Sequence, residues 1–236
     1  MLPKTLSIAT SLALAQLFNP ILSCDPRSLN ETPGMPPIEF GTDEPSDPAT
    51  TGYFINHFSL NVKNLTASLD FYSGVFGLRH IFTVQASEHL SVAYMGHAQG
   101  GRNGTGYQTT EEINREKNNN AGLLEMIYLA IPGREDIPAS SDKTNTFGHI
   151  GMVVPDIEAT QARLESIPSV SIHKRYGEAT PSEGPIANAN GFPPSAWEQI
   201  GAEERKVIEQ VLSAINERFI YVEDPDGNII EIQPQD

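Results

Sequence analysis

The chain has 236 residues, enough for one or two ordinary domains, and its 39% apolar and 19% charged content is that of a soluble globular protein. Fifteen Lys and Arg stand against thirty Asp and Glu, and the resulting formal charge of -15 works against binding nucleic acid or an anionic membrane surface. The only cysteine is Cys24, which excludes a disulfide framework or a cysteine nucleophile built within one chain.

Residues 1–23 read as a secretory signal peptide: Lys4 supplies the positive start, Leu6 to Phe18 an apolar run, and Pro20-Ile21-Leu22-Ser23 a breaker and a small residue before cleavage. The run is short for a bilayer span, so the expectation is a secreted, extracellular protein with no membrane contact once the signal is removed. Ile21-Leu22-Ser23-Cys24 also faintly resembles a bacterial lipoprotein site, the weaker reading, in which Cys24 would carry a lipid. Sequons at Asn30, Asn64 and Asn103 are candidate glycosylation sites, although Asn64 is equally placed to cap a helix. Residues 24–51, rich in proline and acids, read as a linker or a surface arm.

A first module is expected over residues 52–135. From Tyr53 to Val62 the residues alternate, with Phe54, Phe58, Leu60 and Val62 on one strand face and His57, Ser59 and Asn61 on the other. Asn64 then caps an amphipathic helix carrying Leu65, Leu69, Phe71, Tyr72 and Phe76, with Gly77 at its exit. Strands follow around His80 to Gln85 and Ser91 to Tyr94. The loop from Gly100 to Gly106 lacks the order of a dinucleotide-binding turn and reads as a flexible excursion. Ala121 to Ile131 closes the module as a strand in which Glu125 shares a face with Leu123 and Ile127.

A second module is expected over residues 145–236. Ile150, Met152 and Val154 alternate with His149, Gly151 and Val153, a helix runs from about Ile157 to Ser166, and Asp224-Pro-Asp-Gly227 turns the chain into a last strand bearing Glu231. An insertion at about 176–218 interrupts it. Ser195 to Glu198 has capping-box spacing, and Trp197, Ile200, Val207, Ile208, Val211, Leu212 and Ile215 form one helical stripe. The stripe predicts an extra helix packed on the sheet, with a mobile active-site lid as the alternative.

The two modules repeat one pattern. His57-Phe-Ser-Leu-Asn-Val62-Lys-Asn-Leu65 corresponds to His149-Ile-Gly-Met-Val-Val154-Pro-Asp-Ile157, and each is answered downstream by a strand with one carboxylate, Glu125 or Glu231. Any one of these side chains is ordinary. Their recurrence on the face away from each helix outlines a metal site, and mixed nitrogen and oxygen donors suit Zn, Ni, Co, Fe or Mn.

The segments His57 to Gly77, Leu123 to Met126, Phe147-Gly-His-Ile-Gly-Met-Val-Val-Pro-Asp156 and Glu223-Asp-Pro-Asp-Gly-Asn-Ile-Ile-Glu231 closely resemble glyoxalase I, the lactoylglutathione lyase of the vicinal oxygen chelate superfamily. The resemblance covers roughly residues 53–175 and 217–235. It implies an α+β fold of two paired βαβββ modules curling around a divalent metal held by His57, Glu125, His149 and Glu231; the helical insertion read in the second module lies outside the resemblance. A His at the first ligand position looks like the bacterial-type enzymes that often favour nickel, whereas the zinc type commonly has Gln there; this one residue does not fix the metal, and the resemblance implies Zn or Ni first, with Co, Mn and Fe as alternatives. The implied activity is that of a carbon–sulfur lyase, which isomerises the hemithioacetal of an α-ketoaldehyde through an enediolate stabilised by the metal, with Glu231 as base and Glu125 as partner carboxylate.

Three positions depart from the family. Where it places arginines that hold glutathione carboxylates, four residues after the first ligand and four before the second His, this chain has Asn61 and Asn145, and a third polar position holds Leu129. A neutral amide does not replace a bidentate guanidinium contact, so glutathione is not expected to be the favoured carrier, and Arg102, Lys143, Lys174 and Arg175 are the cations that could substitute. Two other readings stand beside the lyase. A non-catalytic small-molecule binder is favoured by the missing arginines and opposed by the intact ligand set; an extradiol-like dioxygenase is opposed by Glu125, which fills space that oxygen and catechol need. The spacing does not choose between a monomer and a homodimer.

Overall fold

The structure, a computed structural model, describes residues 39–101 and 105–235; the expected leader, Asn30, Arg102 and Asn103 lie outside the described residues. Residues 39–51 are exposed and carry one 3-10 turn, Pro48–Thr50, whose first free N–H is met by the Asp47 carboxylate. No helix among the described residues is long and apolar enough to cross a membrane.

The first module runs β1 (His57–Asn61), α1 (Leu65–Phe76), β2 (Arg79–Gln85), β3 (Leu90–Gly96), α2 (Thr110–Glu116) and β4 (Leu123–Leu129). The second runs β5 (His149–Val154), α3 (Ile157–Glu165), β6 (Ser171–Lys174), α4 (Pro185–Ala189), α5 (Pro194–Trp197), α6 (Ala202–Asn216), β7 (Ile220–Glu223) and β8 (Ile229–Pro234). Their sheets have the same topology, β1-β4-β3-β2 and β5-β8-β7-β6. In each, the first strand lies parallel to the fourth and the remaining pairs are antiparallel.

Local chemistry explains the repetition. Asn64 at φ -146°, ψ 103° accepts the Ala67 N–H at 3.1 Å, and Asp156 at φ -144°, ψ 106° accepts the Ala159 N–H at 2.9 Å, so both first helices begin with one cap geometry. Asn64, one of the three sequons, thus has its side chain committed to a cap. The helix α1 ends at Gly77, whose φ of 73° is a left-handed conformation that favours glycine.

One core joins the modules. Leu60, Val62, Ala93, Met95, Leu124 and Met126 from the first sheet meet Ile220, Val222, Ile230 and Ile232 from the second, with Phe71, Tyr72 and Val75 of α1 and Ile157 and Leu164 of α3 between them. Each large apolar side chain buried there contributes about 1.5–3 kcal/mol. Polar tethers add to it. Asp226 accepts the Lys63 N–H at 2.7 Å and the Ser68 hydroxyl at 3.2 Å, Asp224 accepts the Tyr72 hydroxyl at 2.9 Å, and Arg163 donates to the carbonyls of Gly74 and Val75. The Asp224-Pro-Asp-Gly227 turn therefore fastens one module to the other as well as reversing the chain.

Several expectations need correction. The strand face expected of Phe54 and Phe58 is not covered: β1 starts only at His57, and the two rings are 51% and 53% exposed while Leu60 and Val62 enter the core. Ser195 caps nothing, because the helix starts one residue earlier at Pro194. A capping box does occur, but at Thr109 and Glu112 on α2, a helix the sequence reading passed over beside the Gly-rich loop. The apolar stripe after Trp197 does not lie on the sheet: Gly201 separates α5 from α6, and α6 buries only Asn216. It is α4 that packs there, with Ile186 and Ala189 against Phe219, Tyr221 and Ile229. Trp197 holds the insertion together instead, donating its indole N–H to Ser182 at 2.6 Å and stacking between Phe192 and Arg205.

Candidate metal centre

In the first module the parallel register sets His57 opposite Leu123 and Ser59 opposite Glu125. Alternation puts His57 and Glu125 on the sheet face turned away from the shared core, with His57 Nε2 3.9 Å from Glu125 Oε2. Tyr94 of β3 lies directly across from Glu125 and sits edge-on to the His57 ring, centroids 5.5 Å apart. Burial, followed by the adjoining carboxylate, pushes the Tyr94 phenol up to about 12. Phe82 stacks on the other side of that ring at 5.1 Å.

The second module repeats this arrangement. His149 is opposite Ile229, and both Gly151 and Tyr221 are opposite Glu231. His149 Nε2 stands 3.5 Å from Glu231 Oε2, and the Tyr221 hydroxyl donates to the same oxygen at 2.5 Å. Burial and then Glu231 raise that phenol far above its ordinary range. Here the insertion closes over the sheet: α4 covers Tyr221 and Ile229, and a Cβ on Gly148 would come 2.7 Å from the Ala189 carbonyl, which is why glycine precedes this His. The Nδ1 of His149 and the amide nitrogen of Asn190 are buried without a hydrogen-bond partner.

The four expected ligands are thus brought together as two pairs and not as one cluster. Among the described residues no group of three or more His, Cys, Asp or Glu is placed to hold a metal ion. The topology gives the reason: the core lies between the helix-side faces of the two sheets, so each His–Glu pair is on the far side of its own sheet. Each pair still fits half of a divalent site. Metal–nitrogen and metal–oxygen bonds of about 2.0–2.2 Å separate neighbouring donor atoms by roughly 3–3.5 Å, close to the spacing of the second pair and slightly tighter than the first.

Two of the four cations considered as substitutes for the missing arginines are committed elsewhere. Lys174 is buried, and its ammonium donates to the carbonyls of Phe219, Arg175 and Glu217 at 2.8, 3.1 and 3.4 Å, with burial pulling it down to about 8. Arg175 pairs with Glu165 at 2.8 Å. Lys143 is exposed, and Arg102 lies outside the described residues. Asn145 shapes a local turn, accepting the Phe147 N–H at 2.7 Å, and Asn61 is exposed on β1.

Sequence reasoning missed the tyrosines. Ala93-Tyr94-Met95 and Ile220-Tyr221-Val222 are the third strands of their modules, so an apolar–Tyr–apolar signature recurs beside each carboxylate. Comparing only the first and last strands of the repeat concealed it. A further pair, His173 and Glu223 at 2.6 Å on β6 and β7, also went unnoticed.

Residues 54–175 match the model of the Glyoxalase/Bleomycin resistance protein/Dioxygenase superfamily. A lactoylglutathione lyase of Schizosaccharomyces pombe is 28% identical over 184 residues, 75% of this chain; the chain spans 57% of that relative's length. Among solved structures, the trypanothione-dependent glyoxalase I of Leishmania major shares 16% identity over 77% of this chain and 86% of its own, with a TM-score of 0.43. The antibiotic-binding protein TnmS3 from a Streptomyces species shares 15% over 78% and 97%, with a TM-score of 0.40. With its family match covering more than half of the sequence and its paired βαβββ modules, the chain belongs to the glyoxalase/bleomycin resistance protein/dioxygenase superfamily.

Proposed function

We propose that the protein is a metal-dependent lyase or isomerase of glyoxalase type, acting on the hemithioacetal of an α-ketoaldehyde or a related adduct. In this reading each complete site joins the His57–Glu125 pair of one copy to the His149–Glu231 pair of a second. The observation that carries it is the recurrence of one His–Glu–Tyr arrangement on two outward sheet faces. Two protein donors leave a divalent ion short of the three or four that catalytic sites use, and a twofold assembly supplies both missing halves at once. Large apolar side chains exposed on the edge strands, Phe58 on β1 and Val153 on β5, are surface that such an association would cover.

The residues divide the work as follows. Glu231 takes the proton from the carbon next to the substrate carbonyl, that proton passes across the enediolate oxygens to Glu125, and Glu125 returns it to the neighbouring carbon, so both carboxylates end as they began and the change is an isomerisation with no net oxidation. A divalent cation held by the four ligands supplies electrostatic stabilisation of oxyanion charge. Tyr221 keeps the Glu231 carboxylate in one orientation through a hydrogen bond, and Tyr94 stands directly across the sheet from Glu125. With Asn61 and Asn145 at the expected arginine positions and Lys174 buried among carbonyls, the favoured thiol carrier is one that does not rely on a pair of carboxylate clamps. The proposal includes secretion, supported by Lys4 and the apolar run from Leu6 to Phe18, where glutathione is scarce.

The test is elemental analysis after dialysis and reconstitution, followed by a methylglyoxal assay with glutathione and several smaller thiols. Stoichiometric Zn or Ni with turnover of at least one thiol adduct is expected. Metal bound without turnover of any adduct would overturn the lyase and leave the small-molecule binder, which the missing arginines favour.

A further inference from the structure

Asn56 precedes the first candidate ligand and lies outside the repeated pattern. Its amide nitrogen donates to two carbonyls, Lys117 at 2.8 Å and Asn120 at 2.6 Å. Because both partners are pure acceptors, they identify which terminal atom of the carboxamide is the NH2 group and which is the oxygen. That oxygen faces His57 Nδ1 at 2.9 Å. An amide oxygen can only accept, so the proton of this contact belongs to the ring. In the neutral imidazole Nδ1 then carries the hydrogen, and Nε2, the atom 3.9 Å from Glu125, carries the lone pair.

We propose that Asn56 is a positioning residue: it fixes His57 in the Nδ1–H tautomer and presents the Nε2 lone pair on the open sheet face. The proposal deepens the metal reading, on which it rests for its consequence, while its first observable is independent of any metal. The carbonyls that orient Asn56 come from the 3-10 turn Lys117–Asn119 and its cap Asn120, which follow α2. The Asn56 carbonyl in turn accepts the Leu123 N–H at 3.0 Å, at the start of the strand that carries Glu125. The excursion between β3 and β4 thereby acquires a role, because its end sets the hydrogen bonding of the residue just ahead of β1. Nothing equivalent supports His149, whose Nδ1 is buried and unpartnered, so the device belongs to the first half-site.

The experiment measures nitrogen-15 chemical shifts and long-range ring couplings of His57 in metal-free protein, at a pH where the ring is neutral, in the wild type, Asn56→Leu and Asn56→Asp. Cobalt(II) affinity and the visible spectrum of the bound ion are then recorded for the same three proteins. The wild type is expected to show the Nδ1–H form. Asn56→Leu removes the acceptor and releases the ring to its other tautomer, with cobalt affinity falling by about 10–100-fold, the usual cost of losing a hydrogen bond behind a ligating histidine. Asn56→Asp keeps an acceptor for Nδ1, and therefore the tautomer, but loses the NH2 held by the Lys117 and Asn120 carbonyls, so its affinity is expected to fall between those of the other two proteins. A wild-type ring with its proton on Nε2, or a ring whose tautomer is the same in all three proteins, overturns the proposal. The expected tautomer shift in a protein that takes up no cobalt upholds the role of Asn56 and overturns the metal reading instead.

Discussion

Tyr221 and His149 meet at one oxygen atom: Glu231 Oε2 accepts the tyrosine hydroxyl at 2.5 Å and faces the histidine Nε2 at 3.5 Å. The phenol engages one oxygen of the carboxylate and leaves the other unengaged by it. Tyr94 is the register neighbour of Glu125 and sits edge-on to the His57 ring. Both phenols are held above their ordinary range and so remain protonated donors throughout neutral pH.

Replacing either tyrosine by Phe keeps the ring and removes only the donor. Tyr221→Phe, which removes the donor to Glu231, is expected to weaken metal binding by about 10–100-fold with little change in fold, and Tyr94→Phe by less, measured by competition against a chromophoric chelator. Because folding raises the Tyr94 phenol from 10.0 to about 12, its contribution to stability is complete below pH 10 and is lost as pH rises to 12. Denaturation of the wild type and Tyr94→Phe across that range checks the sign.

Assembly of the site from two copies predicts complementation. A chain with His57→Ala and Glu125→Gln, and a chain with His149→Ala and Glu231→Gln, should each be inactive alone. After refolding together, half of the dimers are mixed and each mixed dimer holds one intact site, so activity returns to about one quarter of the wild-type value. No recovery in a mixture shown by sedimentation to contain mixed dimers counts against the shared site.

The buried Lys174 predicts a distinctive pH dependence. Its ammonium is depressed to about 8 from 10.5, so between those values the unfolded chain binds more protons than the folded one and stability rises with pH. Lys174→Met should abolish that rise. It should also cost about 2 kcal/mol at neutral pH, since the carbonyls of Phe219, Arg175 and Glu217 lose their donor. Urea titrations at pH 7 and pH 10 measure both effects.

Asp224→Ala is expected to destabilise the protein by about 3 kcal/mol. It removes the acceptor of the buried Tyr72 hydroxyl and of the backbone N–H groups of Asp226 and Asn228. Burial raises the Asp224 carboxyl above 3.8, so the fold favours its protonated form, and this group's contribution declines as pH rises through its folded value. The variant should lose that part of the acid-range pH dependence.

Gly148→Ala tests the seat of the insertion. The added methyl meets the Ala189 carbonyl at 2.7 Å, a backbone atom that cannot swing aside. A loss of about 1–3 kcal/mol is expected, with faster amide exchange in α4 than elsewhere in the second module.

Much of the architecture was legible in the sequence because it rests on local rules. The Asn64 and Asp156 caps, the Gly77 exit and the period-two alternation around His57 and His149 each depend on a few neighbouring residues, and the first and last strands of both modules could be read from them. Features that depend on distant packing were hidden. Nothing near Phe58 announces that its end of β1 is uncovered, and the stripe on α6 has the period of a buried helix although its burial is partial. The pairing of ligands was readable from the repeat. Their failure to form one cluster within this chain was not, because the helix-side faces that meet in the core are set by tertiary docking.

Glu125 comes 68 positions after His57, and Glu231 comes 82 after His149, yet both partnerships depend on parallel pairing of a first strand with a fourth. Closing so long a loop is entropically slow, and the pairing gains its hydrogen bonds only once the intervening strands are laid down. During synthesis the imidazole of each half therefore leaves the ribosome long before its acid partner exists. If the proposed two-copy site forms, a cation can be held only once both sheets are built and two copies have met, so ion uptake would report completed assembly rather than the folding of either half.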